Sequence, residues 1–589
     1  MKDFFKYLLA TILGVLITSF LGIFIFFGII GTVMSKSDKP TEVKENSMLV
    51  IKFDKEIADR GTKNPMANFD FMSLTPQSTI GLNDILKAIS NAAEDDKIKG
   101  IYIENENIPG GAATLEEIRN ALIKFKETGK FIISYSNVYG QKSYYLSSIS
   151  DKVLLNPLGV VEWVGLRSEI MFYKHALAKL GVEAQILRHG KFKSAVEPFM
   201  YDKMSPENRE QILTYMGSIW NHWVDGIAQA RGLEVNKLNL LADNLTVRNA
   251  ETALEHGLID SIVYKDQVID LLKELTNTKQ KEDINSVGIE QYAKVPSPRK
   301  HKGLIKEKVA VIYASGSIVM GEKTEGEIGG DGFARSIREA RRDSSVKAIV
   351  LRVNSPGGSA LASELIWREM ALAREVKPVI VSMGDVAASG GYYIAAPADV
   401  IVASQTTITG SIGVFGMYPN VQEGMNKKLG IHVDVAKTNK SADFGSIYRP
   451  LTAEERAVGQ LGVEDIYTTF IGHVSAGRGI SVEQVDEIGQ GRVWSGANAI
   501  GIKLVDEFGG LERAIEIAAE KANLEQYRIS ELPKQEDPFQ ALIKELTGSA
   551  KIKLFEKEFG MAYKQFERIQ SIIENRGVQA RIPYDVELY

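Results

Sequence analysis

Cysteine is absent from the 589 residues, which excludes structural disulfides, thiolate-held zinc or iron–sulfur groups and any thiol nucleophile. The compartment stays open, because a disulfide-free protein survives on either side of a membrane. An excess of charge is missing too: 70 Lys and Arg stand against 75 Asp and Glu, a formal net charge of −5. Without a basic run or face, the chain lacks the electrostatic footprint of a nucleic-acid binder. Histidine is scarce, with seven in the chain, and no second long apolar run follows residue 34. Chemistry here must use oxygen or nitrogen nucleophiles.

The one long apolar run, Tyr7 to Met34, holds 28 residues without a charge. At about 1.5 Å per residue, a helix of that length exceeds a hydrocarbon core of about 30 Å. A cleaved signal peptide has an apolar region of roughly 7–15 residues and a small-x-small cleavage site. This run is longer, and its exit, Met34-Ser35-Lys36-Ser37-Asp38, offers no such site. An uncleaved single-pass anchor is therefore expected over residues 1–34, with a polar stalk over 35–46. Lys2 and Lys6 before the span and Lys36, Lys39 and Lys44 after it leave orientation undecided by charge.

The rest of the chain repeats itself at about 247 residues. Asp96-Lys97-Ile98-Lys99-Gly100-Ile101-Tyr102-Ile103 recurs as Ser344-Ser345-Val346-Lys347-Ala348-Ile349-Val350-Leu351, and Pro109-Gly110-Gly111 as Pro356-Gly357-Gly358. Tyr144-Tyr145-Leu146 matches Tyr392-Tyr393-Ile394, and Ala230-Arg231-Gly232 matches Gly477-Arg478-Gly479. Each copy alternates short β-branched runs (KAIVLRV, PVIVSM, DVIVA) with helical patterns, which predicts an α/β fold of βαβ units on a mainly parallel sheet. Helix starts are legible at Ser205-Pro206-Glu207 and at the capping box Thr452-Ala453-Glu454-Glu455. The expected units are a first repeat over 47–275, a polar linker over 276–308, a second repeat over 309–530, and a C-terminal tail over 531–589. The tail reads as an amphipathic helix with an extended end, serving packing or self-association.

Two motifs in the second copy carry possible chemistry. Val353-Asn354-Ser355-Pro356-Gly357-Gly358-Ser359 sits where a strand meets a helix, so its glycines can turn backbone N–H groups toward developing negative charge. Alone, it is also an ordinary turn. The next strand runs into Ala387-Ala388-Ser389-Gly390-Gly391-Tyr392, where small neighbours allow a serine to be held exposed on a tight strand-to-helix turn. Such a serine needs a base. Among the histidines only His432 falls near an equivalent strand, so a Ser-His-Asp arrangement is disfavoured. Lysine can serve if burial lowers its pKa. The duplication narrows the field: Gln141 stands opposite Ser389, so the first copy lacks the serine, while Lys193-Ser194-Ala195 and Lys440-Ser441-Ala442 put a lysine in both copies. Spacing alone leaves the choice between them to geometry.

Four motifs in order now carry a resemblance. Asn354-Ser355-Pro356-Gly357-Gly358, Ala388-Ser389-Gly390-Gly391-Tyr392, Thr409-Gly410-Ser411-Ile412-Gly413 and Lys191-Phe192-Lys193-Ser194-Ala195-Val196-Glu197-Pro198 resemble the long, duplicated form of the signal peptide peptidase A, or protease IV, family. The resemblance implies a Clp-protease/crotonase-like fold in each repeat and a membrane-anchored serine endopeptidase that degrades remnant signal peptides. Carried over residue by residue, it implies Ser389 as nucleophile, Lys193 as general base, Ser411 as the hydroxyl orienting the lysine, and the N–H groups of Gly358 and Gly390 as the oxyanion hole. Lys440 is the alternative base, because single-unit members draw theirs from the position it occupies. The flank of Lys193 fits the long-form motif, and Asn439-Lys440-Ser441-Ala442-Asp443-Phe444 fits neither form well.

The family further implies apolar peptide substrates, a homotetramer, no cofactor or metal, no nucleic acid, and a bacterial inner-membrane location with the catalytic bulk in the periplasm. Two rivals differ in class: a crotonase-type acyl-CoA enzyme working through carboxylates, and a non-catalytic membrane scaffold.

Overall fold

The computed structural model describes residues 42–62, 79–297, 305–322, 326–535 and 577–581, with scattered positions in the N-terminal segment and between 63 and 78. Most of the Tyr7–Met34 run lies outside the described residues. Among those described, no helix is long and apolar enough to cross a membrane.

Two parallel sheets carry the duplication into three dimensions. The first runs, edge to edge, Ser261–Ile262, Lys152–Val161, Phe131–Tyr139, Ile98–Ile103, Ser47–Ile51, Ser286–Gly288. The second repeats that order: Glu507–Phe508, Val400–Ala403, Val379–Ala388, Val346–Ser355, Lys308–Ser315, Arg528–Leu532. It adds Ile408–Gly410 beside the far end of Val379–Ala388, and Val493–Ser495 antiparallel beyond that. Strands buried on both faces need continuous apolar runs, and Lys308–Ser315 and Val379–Ala388 supply them, with Val309, Val311, Ile312, Val379, Ile380 and Val381 wholly buried.

Both helix starts form as the sequence indicates. Ser205 caps Pro206–Arg231, and Thr452 with Glu455 closes a capping box on Ala453–Arg478. Other readings change. The stretch 276–308 is not purely a connection, because Ser286–Gly288 pairs with Ser47–Ile51 and finishes the first sheet. His432 lies in an irregular exposed segment rather than a strand. The tail's helical pattern falls outside the described residues, and the tail residues that are described at 577–581 form a strand. That strand lies toward the end expected to be extended, but its pairing was not foreseen, since its partners lie more than 150 residues upstream.

A third sheet ties everything together. Its order is Glu327–Gly329, Ser317–Val319, Gly357–Ser359, Gly577–Arg581, Phe415–Asn420, Glu183–Arg188. The last pairing is antiparallel and joins the two repeats, Arg188 facing Phe415 and Glu183 facing Asn420.

Buried charge also links them. Arg352, on a central strand of the second sheet, is fully buried and donates to Asp59 at 2.7 Å and to Glu117 at 2.6 Å, both from the first repeat. Close by, Asp385 accepts from the Thr114 amide at 2.9 Å and from the Thr114 hydroxyl at 2.6 Å. The helix Ala112–Lys126 has no side-chain cap from its own N-cap residue. A carboxylate from the other repeat therefore satisfies its orphan donors.

Candidate active site

Ser389 ends the strand Val379–Ala388 and opens the helix Gly390–Ala395 with φ 56° and ψ −114°. A serine rarely holds a positive φ, and such strain persists only where its surroundings fix it. Here the Ser389 amide donates to the Gly410 carbonyl at 2.8 Å, and its carbonyl accepts from the Tyr393 amide at 2.8 Å. The small residues around it are needed for close approach: a Cβ on Gly391 would lie 2.7 Å from the Ser355 carbonyl oxygen.

Lys193 arrives from the other repeat. Five residues before it, the strand Glu183–Arg188 is zipped to Phe415–Asn420, which fixes where the chain re-enters. The loop is then held from both sides: Phe192 donates to the Gln490 carbonyl, and Gln211 donates to the Phe192 carbonyl and to the Ser194 hydroxyl. Glu197, fully buried, accepts from the Ser205 hydroxyl at 2.5 Å and from Asn208 at 2.9 Å, so the short helix after Lys193 is fastened to the long one.

The Lys193 side chain is wholly buried, and its amine lies within hydrogen-bond distance of Ser389 Oγ at 2.8 Å, Ser411 Oγ at 3.0 Å and the Ser411 carbonyl at 3.2 Å. Among the described residues no carboxylate is hydrogen-bonded to the amine, and burial holds its pKa well below the ordinary lysine value. Burial favours the neutral form of such an amine, and a neutral amine at this distance from a hydroxyl has the geometry to accept its proton. Ser411 also has a positive φ, 49°, and its amide is fixed on the Arg492 carbonyl at 2.7 Å.

The structure thus brings Ser389 and Ser411 each within hydrogen-bond reach of the Lys193 amine. Gly358 and Gly390 flank the same place, one on each side of Gly357: a Cβ on Gly357 would lie 2.6 Å from the Gly390 nitrogen. Lys440 is elsewhere. It is exposed, in a turned segment where its carbonyl accepts from Lys437. Gln141, opposite Ser389 in the duplication, instead clasps the chain at Val164 and Gly165.

Motif reading misses Gly491, which packs against the lysine itself, as does Gly413 at the end of the Thr409–Gly413 motif. Gly491 has φ 83°, and a Cβ there would meet the Lys193 backbone at 2.6 Å; one on Gly413 would lie 3.3 Å from Lys193 Cδ. Gly491 reads in sequence as a turn glycine, and nothing local distinguishes it. Gly491→Ala is expected to displace the lysine by a substantial fraction of an ångström and lower kcat about a hundredfold, with KM nearly unchanged, as steady-state peptide hydrolysis would show.

A buried serine hydroxyl on a strained turn, beside a desolvated amine, is an arrangement that serine hydrolases can use, and the comparisons make the protein a serine peptidase. The family model described as Peptidase family S49 matches twice, at residues 124–279 and 371–525. The chain belongs to peptidase family S49, with one copy of the domain in each repeat. It is 38% identical over 483 residues to Protease 4 of Salmonella typhi, covering 80% of this chain and 77% of that protein. To Protease 4 of Haemophilus influenzae it is 35% identical, covering 86% and 84%. To the chloroplastic serine protease SPPA of Arabidopsis thaliana it is 35% identical, covering 76% and 66%. A solved ClpP1 mutant from Listeria monocytogenes overlaps 35% of this chain and 94% of its own at 14% identity, with a TM-score of 0.24. Membership in this family displaces the acyl-CoA enzyme and scaffold alternatives.

Proposed function

We propose that the protein is a serine endopeptidase working through a Ser389–Lys193 dyad assembled from both repeats, and that it degrades apolar peptides left in a membrane, remnant signal peptides above all. The observation that carries this reading is the Lys193 amine, buried without a counter-charge and 2.8 Å from Ser389 Oγ. Neutral Lys193 takes the proton from Ser389 as the oxygen attacks a peptide carbonyl. The Gly358 and Gly390 N–H groups receive the oxyanion, and Ser411 holds the amine on line. The protonated lysine then returns its proton to the leaving amine. An acyl-enzyme remains on Ser389, and water activated by the same lysine releases the product. No carboxylate or imidazole is required.

The Tyr7–Met34 run is proposed as the anchor that holds the enzyme at the bacterial inner membrane, with the bulk of the chain on the periplasmic side as a homotetramer. Protease 4 and SPPA relatives support the peptidase class, and the apolar run supports the placement.

The sign of the pH dependence follows from the lysine. Its pKa in the folded protein is depressed, so the active, neutral form extends to lower pH than an ordinary lysine allows and is lost as pH falls through that lowered value. Hydrolysis of an apolar fluorogenic peptide is expected to hold level from neutral pH upward and to drop about tenfold per pH unit below the lysine's pKa. A profile set by a histidine base would survive in Lys193→Met; this one would not.

A further inference from the structure

Arg492 stands where the two repeats meet, one residue after Gly491, and reaches the lysine by two routes. Its backbone carbonyl accepts from the Ser411 amide at 2.7 Å, and the Ser411 hydroxyl lies 3.0 Å from the Lys193 amine. Its side chain goes to the other end of the lysine. The guanidinium lies over the Phe192 ring, 4.6 Å from its centre, and over the Trp494 ring at 4.5 Å. Phe192 immediately precedes Lys193 and is buried, whereas Trp494 belongs to the strand Val493–Ser495 of the second repeat. One terminal nitrogen pairs with Glu210 at 2.8 Å, on the helix Pro206–Arg231.

The guanidinium is held mainly by rings. Its Nε is buried and, among the described residues, has no hydrogen-bond partner. A buried donor without a partner is costly, and a methionine or leucine would cover both rings without that cost. What an aliphatic side chain cannot supply is a flat cation stacked on two ring faces, one from each repeat. Lys191 also approaches the Phe192 ring, with its amine 5.3 Å from the centre. It shares a loop with Phe192, however, and cannot tie that loop to the second repeat.

We infer that Arg492 is a positioning residue of the dyad: its side chain fixes the Phe192–Lys193 step against the second repeat while its carbonyl fixes Ser411, so one residue sets both the stem and the tip of the lysine. This rests on the proposed Ser389–Lys193 reading. Releasing the stem carries the amine off its line to Ser389 Oγ, which lowers kcat. It also opens the packing that keeps water from the amine, which then holds its proton to higher pH. Substrate binding is not involved, so KM stays.

The test is steady-state hydrolysis of an apolar fluorogenic peptide by the full chain, followed from about pH 5 to about pH 10, for the parent, Arg492→Met and Arg492→Lys. Methionine keeps aliphatic bulk and loses the charge and the plane. Arg492→Met is expected to lower kcat about tenfold, leave KM within about twofold and move the acid side of the pH–rate profile up by about one unit. Arg492→Lys keeps the charge facing Glu210 but not the flat stack, so it should fall between Arg492→Met and the parent in both kcat and pH profile. If Arg492→Met does not fold, Arg492→Lys decides alone. Parental kcat and an unmoved acid side overturn the inference. So does a fall in kcat with the acid side unmoved, which a loss of folded protein alone produces, or a rise in KM as large as the fall in kcat. Hydrolysis that survives Ser389→Ala overturns the dyad reading itself, and this inference with it, whatever Arg492 does.

Discussion

Lys193→Met is expected to abolish peptide hydrolysis, lowering kcat by about 10⁴-fold or more, while Lys440→Met leaves it at the parental rate. Methionine fills the buried volume of the lysine stem but cannot accept the Ser389 proton, so KM should change little and kcat should collapse. The same substitution has a second expected effect of opposite sense. Folding buries Lys193 without an anion, so its amine must give up a proton to fold. At any pH between the depressed folded value and the ordinary lysine value of about 10.4, the unfolded chain holds a proton that the folded chain does not. Stability therefore rises with pH across that window. Methionine removes the dependence, so Lys193→Met should unfold at a higher temperature than the parent at pH 7, with the advantage vanishing toward pH 10.4. Thermal unfolding followed by circular dichroism at both pH values reads this directly. A merely structural lysine would show the loss of stability that Lys193→Met is expected not to show.

Arg352→Met should be the most destabilising single substitution between the two repeats. It removes the guanidinium that answers two buried carboxylates, Asp59 and Glu117, and leaves them facing each other in the interior. Breaking a buried ion pair from one side costs about 3–5 kcal/mol, and here one cation serves two anions. Burial already pushes the Glu117 carboxyl upward, opposed chiefly by Arg352. Without the arginine the Glu117 carboxyl should protonate more readily, and the variant should regain stability as pH falls, the reverse of ordinary acid denaturation. Adding Asp59→Asn and Glu117→Gln should recover much of the loss, because replacing a whole buried network costs far less than orphaning half of it. Urea midpoints for the parent, the single variant and the triple variant test this. Activity should follow stability, since Arg352 sits two residues before Asn354, whose side chain accepts from the Val386 amide at the base of the serine turn.

Much of this was legible from the sequence, for identifiable reasons. The duplication shows because each copy needs the same apolar strands, and the two sheets share one strand order. Ser389 shows because a strained turn at a close backbone crossing tolerates few residue types, and the small neighbours around it leave that trace. Lys193 is different. A buried amine and a solvated one look alike in sequence, and what separates Lys193 from Lys440 is a strand pairing between residues more than 220 positions apart. Gly491 is invisible for the same reason, since its requirement is set by the backbone of Lys193. The trans-cap by Asp385 and the Arg352 cluster join residues from different copies, which no local pattern records. The tail's extended end was legible, but not where it goes: its place between two strands more than 150 residues upstream is set by the edges that receive it.

The division of labour between the copies has a physical basis. One copy supplies the strained turn and the glycines beside it, the other an amine stripped of water. Neither alone encloses the amine, because the walls around Lys193 include Gly413 and Gly491 from the second copy and the anchoring Gln211 from the first. Gln141, at the place of the lost serine, has been turned to holding the loop at Val164 and Gly165.

The central claim is that one desolvated lysine from the first repeat activates one serine in the second. Its most direct test is the rate at which a serine-directed acylating electrophile modifies the full-length protein as a function of pH, with the modified residue identified by mass spectrometry. The account predicts a single adduct on Ser389, formed at a rate that titrates with one group well below the ordinary lysine value, unaffected by Lys440→Met and lost in Lys193→Met. An adduct on another residue, or a Ser389 adduct whose rate and pH profile persist in Lys193→Met, would contradict it.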